Sequence, residues 1–464
     1  MTVLAQISES QADKATQVNE LFEAVSPAGL FGINRETTTA LTWGYYGGYL
    51  WTDGVLTSIA DGTLALSASA TNYVEATAAG IVSNNTTGFS ASSVPLYVVV
   101  TGAATISTIS DRRVSGAHAN VTRARNVLIN GDMQVAQRGI TFTATGTYPN
   151  SDDAYLLDQW INLSDGADIV DVSQESATVP ADGLFAMKLD VETANAKFGI
   201  LQIIEQKNIN GLIGKTVTLQ FKARKGGSNA TVDTLRAGIY SWDGTADAPT
   251  SDLVSAWSAE GTNPTLVANW TIENTPANLT LTTSYQTFTA QATIDTASVK
   301  NIAVFVWCDN SDATVADLVY ISDVDLHLGT GVQSFDHPDF SGERTRCMRY
   351  FEKAANYDTV PSDGAAAYDS QTATIDGNGD ISFMIHYLAI KRVPSPTVAY
   401  YSSAAPFTAG AGQWVYADSA AGWTAFTPSS AGNTERYRLN TSALALTYGQ
   451  AMQVVGHWTA SAEL

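Results

Sequence analysis

Five histidines, His118, His327, His337, His386 and His457, are scattered through the 464 residues. No two stand in His-x-x-x-His spacing and there is no Cys-x-x-Cys, so the usual zinc ligands do not fall at zinc-binding intervals. A Gly-x-Ser-x-Gly nucleophile elbow and a phosphate-cradling P-loop are also missing. Each lone histidine therefore reads as a hydrogen-bonded structural residue. No catalytic residue, cofactor or metal ligand is assigned.

The acidic residues offer more. Asp376-Gly-Asn-Gly-Asp380 has the 1, 3, 5 oxygen spacing of a calcium loop, but Ile381 stands where that loop needs Gly and Tyr387 where it needs Glu. Flanked by Thr374-Ile375 and Ile381-Ser-Phe383, it reads as a β-hairpin turn in which Asn-Gly supplies positive φ. Trp307-Cys-Asp-Asn-Ser-Asp312 reads as a second turn with incidental carboxylates. Two carboxylates about 5–10 Å apart can hydrolyse a glycosidic bond. With 45 Asp and Glu in the chain, some pair meets that distance by chance.

Aromatic residues give the other chemistry, because their faces stack on the apolar face of a sugar ring. Trp242, Trp257 and Trp270 stand in Gly/Ser/Asp-rich stretches such as Tyr240-Ser-Trp-Asp-Gly244. Tyr400, Tyr401, Trp414, Tyr416, Trp423 and Tyr437 make a second aromatic-rich zone. The competing reading for each ring is core packing. The residues nominated as ligand platforms are Trp242 and Trp257, with Tyr401, Trp414 and Trp423 further along the chain.

Positioning such rings is the work of β-structure. Phe185, Met187, Leu189 and Val191 alternate with polar neighbours. So do Val217, Leu219, Phe221 and Ala223, and again Phe288, Ala290, Ala292 and Ile294. That is the pattern of antiparallel strands with one wet face. Ile302-Ala-Val-Phe-Val-Trp-Cys308 is apolar on both faces, as a covered central strand is. With no interleaved helices, residues 126–335 are expected to form a two-sheet, jelly-roll-type β-sandwich. Before it, short apolar runs across 33–110 predict a small, mostly antiparallel β module. Residues 111–125, with Arg112, Arg113, Arg123 and Arg125 and almost nothing apolar, predict a linker. After it, Gly342–Lys353 reads as a short helix or a helix-to-strand junction, and 336–464 as a C-terminal β tip domain.

The most regular helical pattern is at the start, within an N-terminal helix and attachment segment (1–32). Ser10 and Asp13 form a weak capping box, and Ala15, Val18, Phe22 and Val25 recur at helical spacing before Ser26-Pro27 ends the pattern. This stripe suits either an oligomerising helix or one folded back on its own domain. The fold class is thus mainly β with an N-terminal α-helix.

Composition excludes several functions. The net charge is −21, yet only 15% of residues are charged, against a typical ~25%. A general nucleic-acid binder needs clustered Lys and Arg for phosphate contacts, and an anionic membrane would repel this chain. The longest apolar run, Val94-Pro-Leu-Tyr-Val-Val-Val100, falls far short of the ~20 residues of a membrane span. The first residues show neither the basic start nor the apolar stretch of a secretory signal. Two cysteines cannot staple a scaffold. Cys308 and Cys347 are expected to be free, buried thiols.

Several segments resemble one kind of protein. Asn126-Val-Leu-Ile-Asn-Gly-Asp-Met-Gln-Val-Ala-Gln-Arg-Gly139, Asp158-Gln-Trp160 and Gly214-Lys-Thr-Val-Thr-Leu-Gln-Phe-Lys-Ala223 resemble the opening of carbohydrate-binding-module-like β-sandwiches in bacteriophage tail fibres. Gly331-Val-Gln-Ser-Phe-Asp-His337, the junction Cys347 to Lys353 and the close His457-Trp-Thr-Ala-Ser-Ala-Glu-Leu464 are similar to the later parts of such proteins. Ile7–Glu20 and Thr63–Val74 are similar to their leading helix and small β module. The resemblance implies a homotrimeric virion fibre or receptor-binding protein, assembled in the host bacterial cytoplasm. It would attach to other virion proteins through its N-terminal region and contact host surface glycan at its distal end. The family's sugar sites vary, so no binding residue carries over. A purely structural virion component is the first alternative. A polysaccharide-degrading enzyme is the second, though the stacked repeats of a β-helix depolymerase are missing. The acidic balance makes a neutral polysaccharide the expected ligand.

Overall fold

The computed structural model describes residues 30–464, apart from 53–54, 78, 91–92, 114–123, 228–229, 367–368, 408, 419–421 and 442–443. The stripe Ala15, Val18, Phe22 and Val25 and most of the expected linker lie outside the described residues. What is described is almost wholly strand and loop. It divides into two compact units between Arg123 and Ala124.

The first unit is the small antiparallel module that the short apolar runs predict. Its largest sheet runs Val82–Asn85, Thr71–Ala76, Val94–Thr101 and Ile106–Asp111 from edge to edge. Thr42–Tyr45 pairs with Gly62–Ala65, and Gly48–Thr52 with Val55–Ile59. Trp43, Val74, Tyr97 and Val99 bury together in its core. Buried Asn72 accepts from the Ser67 N–H at 2.8 Å and donates to the Ser67 carbonyl at 3.1 Å, so its own amide is satisfied away from water.

The second unit opens with two facing antiparallel sheets. The six-stranded sheet runs Gln286–Thr293, Thr216–Gly227, Asp317–Leu328, Ala186–Val191, Val170–Glu175 and Thr141–Phe142. The seven-stranded sheet runs Ala154–Tyr155, Ile161–Ser164, Phe198–Ile204, Asn301–Cys308, Thr234–Trp242 and Trp270–Ile272, with Leu279–Thr280 also on Thr234–Trp242. Val217, Leu219, Phe221 and Ala223 turn into the core between the sheets, as their alternation requires. Asn301–Cys308 is buried along its whole length. Ile302, Val304, Val306 and Cys308 join the inter-sheet core, while Ala303, Phe305 and Trp307 serve a second apolar cluster on the opposite face.

Beyond the sandwich, Asp339 caps the helix Phe340–Met348 by accepting from the Gly342 N–H at 2.8 Å. The strand Phe351–Lys353 follows, so the expected helix-to-strand junction is present. The remaining chain builds a nine-stranded sheet around Ala451–Ser461, which pairs with Asp369–Ile375, Trp414–Asp418, Thr397–Tyr401 and Phe351–Lys353. Asp376–Asp380 is the hairpin turn its sequence predicts: Ile375 pairs with Ile381, Gly379 has φ +80°, and Asp376 accepts from the Asn378 and Asp380 N–H groups. Gly456 answers to a close approach, because a Cβ there would lie 2.2 Å from the Trp414 ring.

This sheet and the sandwich belong to the same unit and share polar contacts. Glu205 receives Arg349 at 2.7 and 3.0 Å and the Tyr350 hydroxyl at 3.1 Å. Gln137 donates to the Phe351 carbonyl at 2.8 Å, and the Arg138 guanidinium lies 3.7 Å from the centre of the Phe351 ring.

Candidate functional site

The five nominated aromatics fall into two groups. Trp242 ends the strand Thr234–Trp242, is 6% exposed, packs on Trp270 and donates its indole N–H to the Thr245 carbonyl at 2.9 Å. Trp414 is fully buried against Gly456 and donates to the His457 carbonyl at 3.2 Å. Neither offers a face to a ligand. Both are core residues, and their Gly- and Ser-rich surroundings reflect close packing over small neighbours. Trp257, Tyr401 and Trp423 are half-buried. Trp257 lies against Phe305, Tyr401 stacks on His457 at 5.2 Å, and Trp423 meets Phe407 edge-on at 4.8 Å. Among the described residues, no ring contact joins any two of the five.

Trp242 is hidden because the outer face of the seven-stranded sheet is covered. Tyr240, Trp242, Trp270, Phe305 and Trp307 make an aromatic layer there. The excursion between the strands Thr234–Trp242 and Trp270–Ile272 closes over it, contributing Leu253, Val254 and Trp257. Polar ties pin that cover. The Gly261 N–H donates to Asp309 at 3.0 Å, and Arg236 donates to Asn263 at 2.7 Å. Asn301 holds Asp247 through bonds of 3.0 and 2.8 Å. This face is therefore interior.

The six-stranded sheet is different. On its outer face lies a pocket of about 270 Å³, lined by Asp182, Gln220, Lys222, Thr287, Asp323 and the segment 332–335. Gln220 and Lys222 point outward because Val217, Leu219, Phe221 and Ala223 point inward. Opposite them the ladder slips by one residue: Gln220 pairs with Asp325 but Lys222 with Ser322. Asp323 takes up the bulge at φ +53°, in the left-handed region that Asp tolerates better than most side chains. The bulge aims the buried Asp323 carboxylate at Lys222 Nζ, 2.9 Å away. Asp182 meets the same ammonium from solvent. The Lys222 hydrogen bond holds the Asp182 carboxyl below its ordinary range, despite some opposing burial. Burial opposes the Lys222 charge, but the two carboxylates outweigh it and raise its pKa.

The return segment after the last strand forms one wall. The Gln333 N–H donates to the Gln220 side chain at 3.0 Å, and Gln220 donates back to the Gln333 carbonyl at 2.6 Å. The Gln333 amide also donates to Asp325 and to the Ala124 carbonyl, both at 2.8 Å. His327, 3% exposed, bridges Asp325 and the Gly331 carbonyl at 3.0 and 3.1 Å. The Gln220, Gln333 and His327 side chains behind this wall thus each have a fixed partner.

The chemistry this arrangement supports is recognition. Asp182, Asp323 and His337 bring potential ligand atoms within 4.8 Å of one another, but the Lys222 ammonium already stands between the two carboxylates and would repel a cation. Cys308 and Cys347 are free and buried, as expected. Burial pushes the Cys308 thiol up to about 12 and the Cys347 thiol well above its ordinary value, so neither is a nucleophile near neutral pH. His457 is buried with Nε2 between the Ser362 and Ser402 carbonyls, and burial lowers its pKa.

Sequence patterning showed Lys222 and Gln220 on a wet face, but not that they form a site. The partners come from positions 182, 323 and 333, and the bulge that joins them leaves no mark in hydrophobic periodicity.

No family model and no curated protein matches the chain. Among solved structures, it is similar to the enzymatically active domain of tailspike protein 4 of bacteriophage CBA120, at 17% identity and TM-score 0.28, over 44% of this chain and 21% of that one. It is also similar to the CBM22-1 xylan-binding domain of Xyn10C from Paenibacillus barcinonensis, at 9% identity and TM-score 0.27, over 45% of this chain and 97% of that one. A third similar structure is the CBM22-1–GH10 pair of Clostridium thermocellum xylanase 10B, at 12% identity and TM-score 0.26, over 44% of this chain and 29% of that one. The chain thus spans about a fifth of the tailspike domain's length.

Proposed function

We propose that this chain is a non-catalytic fibre or receptor-binding protein of a phage virion that contacts a neutral host-surface glycan through its second unit. The observation that carries the glycan reading is the open pocket on the six-stranded sheet. Its amide, carboxylate, ammonium and hydroxyl groups are the ones that hydrogen-bond sugar hydroxyls, and they are held in place before any ligand arrives. The half-buried rings Trp257, Tyr401 and Trp423 supply further stacking edges. The virion reading is supported by the tail-fibre-like segments beginning at Asn126, Gly331 and His457. In this reading the N-terminal region attaches a homotrimer to the particle, the second unit reaches the host, and assembly takes place in the bacterial cytoplasm.

Adsorption competition tests this. Purified chain added to the phage's own propagation host should block particle adsorption in a saturable way, and neutral polysaccharide from that host should reverse the block. Chain that neither binds cells nor slows adsorption would favour a purely structural virion component. Loss of polysaccharide chain length on incubation would favour an enzyme.

A further inference from the structure

We propose that the pocket on the six-stranded sheet holds a single uncharged pyranose residue by its vicinal hydroxyls, with Asp182 accepting from one and Lys222 donating to its neighbour. This rests on the glycan-binding reading above and assigns it to one place. Adjacent hydroxyls on a pyranose ring lie within hydrogen-bond reach of each other, and each can donate and accept. A carboxylate and an ammonium in direct contact present the complementary pair at the same spacing. Charged partners make such bonds stronger than neutral ones do.

The two groups have unequal roles, and burial shows it. The Asp323 side chain is 1% exposed and fixes Lys222 from below, the Lys222 side chain is 23% exposed, and that of Asp182 is 57% exposed. Asp323 is thus a positioning residue, while Asp182 and Lys222 face the ligand. The bulge and the paired Gln220 and Gln333 amides hold wall and floor rigid, which lowers the entropic cost of binding. At the mouth, exposed Val332 offers an apolar edge to the C–H face of the ring.

Size and charge narrow the ligand. A volume of about 270 Å³ lies just under the 300–1,000 Å³ of typical small-molecule sites, which suits one ring more than an oligosaccharide. A polymer would enter by a terminus or a side branch. Two carboxylates against one ammonium leave the pocket negative, so uronic and sialic acids would meet Asp182 with like charge.

The test uses purified full chain on an array of bacterial surface polysaccharides, neutral and acidic, with methyl glycosides of neutral hexoses as soluble competitors. Asp182→Asn removes a charge-assisted acceptor at an exposed position, and Thr287→Tyr fills the mouth from an exposed strand position. If the pocket is the site, wild type binds neutral polymers and each variant loses about tenfold or more in affinity, with melting temperatures unchanged. Wild-type binding with both variants equal to it would overturn the pocket while leaving glycan binding in place. Wild type that binds no polysaccharide would overturn the glycan reading and the pocket together. Preference for acidic polymers would overturn the charge argument and with it this assignment.

Discussion

Asp132, 6% exposed, receives the Gln134 amide at 3.1 Å and lies 3.5 Å from His337. Burial, reinforced by the nearby Glu343 charge and opposed by His337, pushes its carboxyl up to about 6. A carboxyl raised in the folded state adds no penalty below its unfolded value of 3.8 and costs stability as pH climbs through about 6. Asp132→Asn keeps the acceptor and removes the charge. It should therefore stabilise the protein by on the order of 3 kcal/mol above pH 7 and by little at pH 4, read from chemical denaturation at both. Equal effects at the two pH values would contradict this. The aromatics separate on the same footing. Trp242→Ala and Trp414→Ala should each cost about 3–5 kcal/mol of stability, as core tryptophans do. Trp257→Ala and Trp423→Ala should cost less and change host adsorption more, with melting temperature and adsorption measured side by side. Four variants with equal losses of stability would place all four rings in the core.

At the scale of elements, the return segment 329–335 depends on His327. Burial works against the imidazolium charge, but the Asp325 carboxylate outweighs it and raises the pKa. That contribution is full below about pH 6.5, the ordinary value, and is lost as pH rises through the higher folded value. The stability gap between wild type and His327→Gln should therefore narrow as pH rises from about 6 to about 9, by thermal denaturation. A gap that stays constant would mean the histidine acts by packing alone. Much of this architecture was legible beforehand. Strict alternation located the strands around Leu189, Leu219 and Ala292, and the doubly apolar run at 302–308 marked the covered strand. The turn at Asp376–Asp380 was legible from Asn-Gly. What periodicity could not show was the cover over the outer aromatic face. The excursion after Trp242 has no regular pattern, and its packing, with Trp257 against Phe305, depends on tertiary contact. The Asp323 bulge was hidden for the same reason, since one residue of slip looks like ordinary strand sequence. Hence Trp242 looked like a platform, and nothing in the pattern marked Asp182.

For the molecule as a whole, two quantities bear on function. One is assembly. The proposed fibre is a homotrimer, so light scattering should give about three times the 49.1 kDa chain mass. A monodisperse monomer at micromolar concentration would count against it. The other is charge. A net −21 disfavours anionic polymers close to the surface, and screening beyond about 8 Å at physiological salt softens that repulsion without removing it. A single pocket that holds one ring binds weakly, and three copies on one fibre raise the effective affinity without any new contact. The account stands or falls on glycan binding by the intact chain, which equilibrium titration with purified neutral surface polysaccharide from the propagation host measures directly. The predicted result is saturable, weak binding that persists at high salt and is absent for acidic polymers. No heat and no binding at any polymer concentration, from chain that is folded and trimeric, would contradict it.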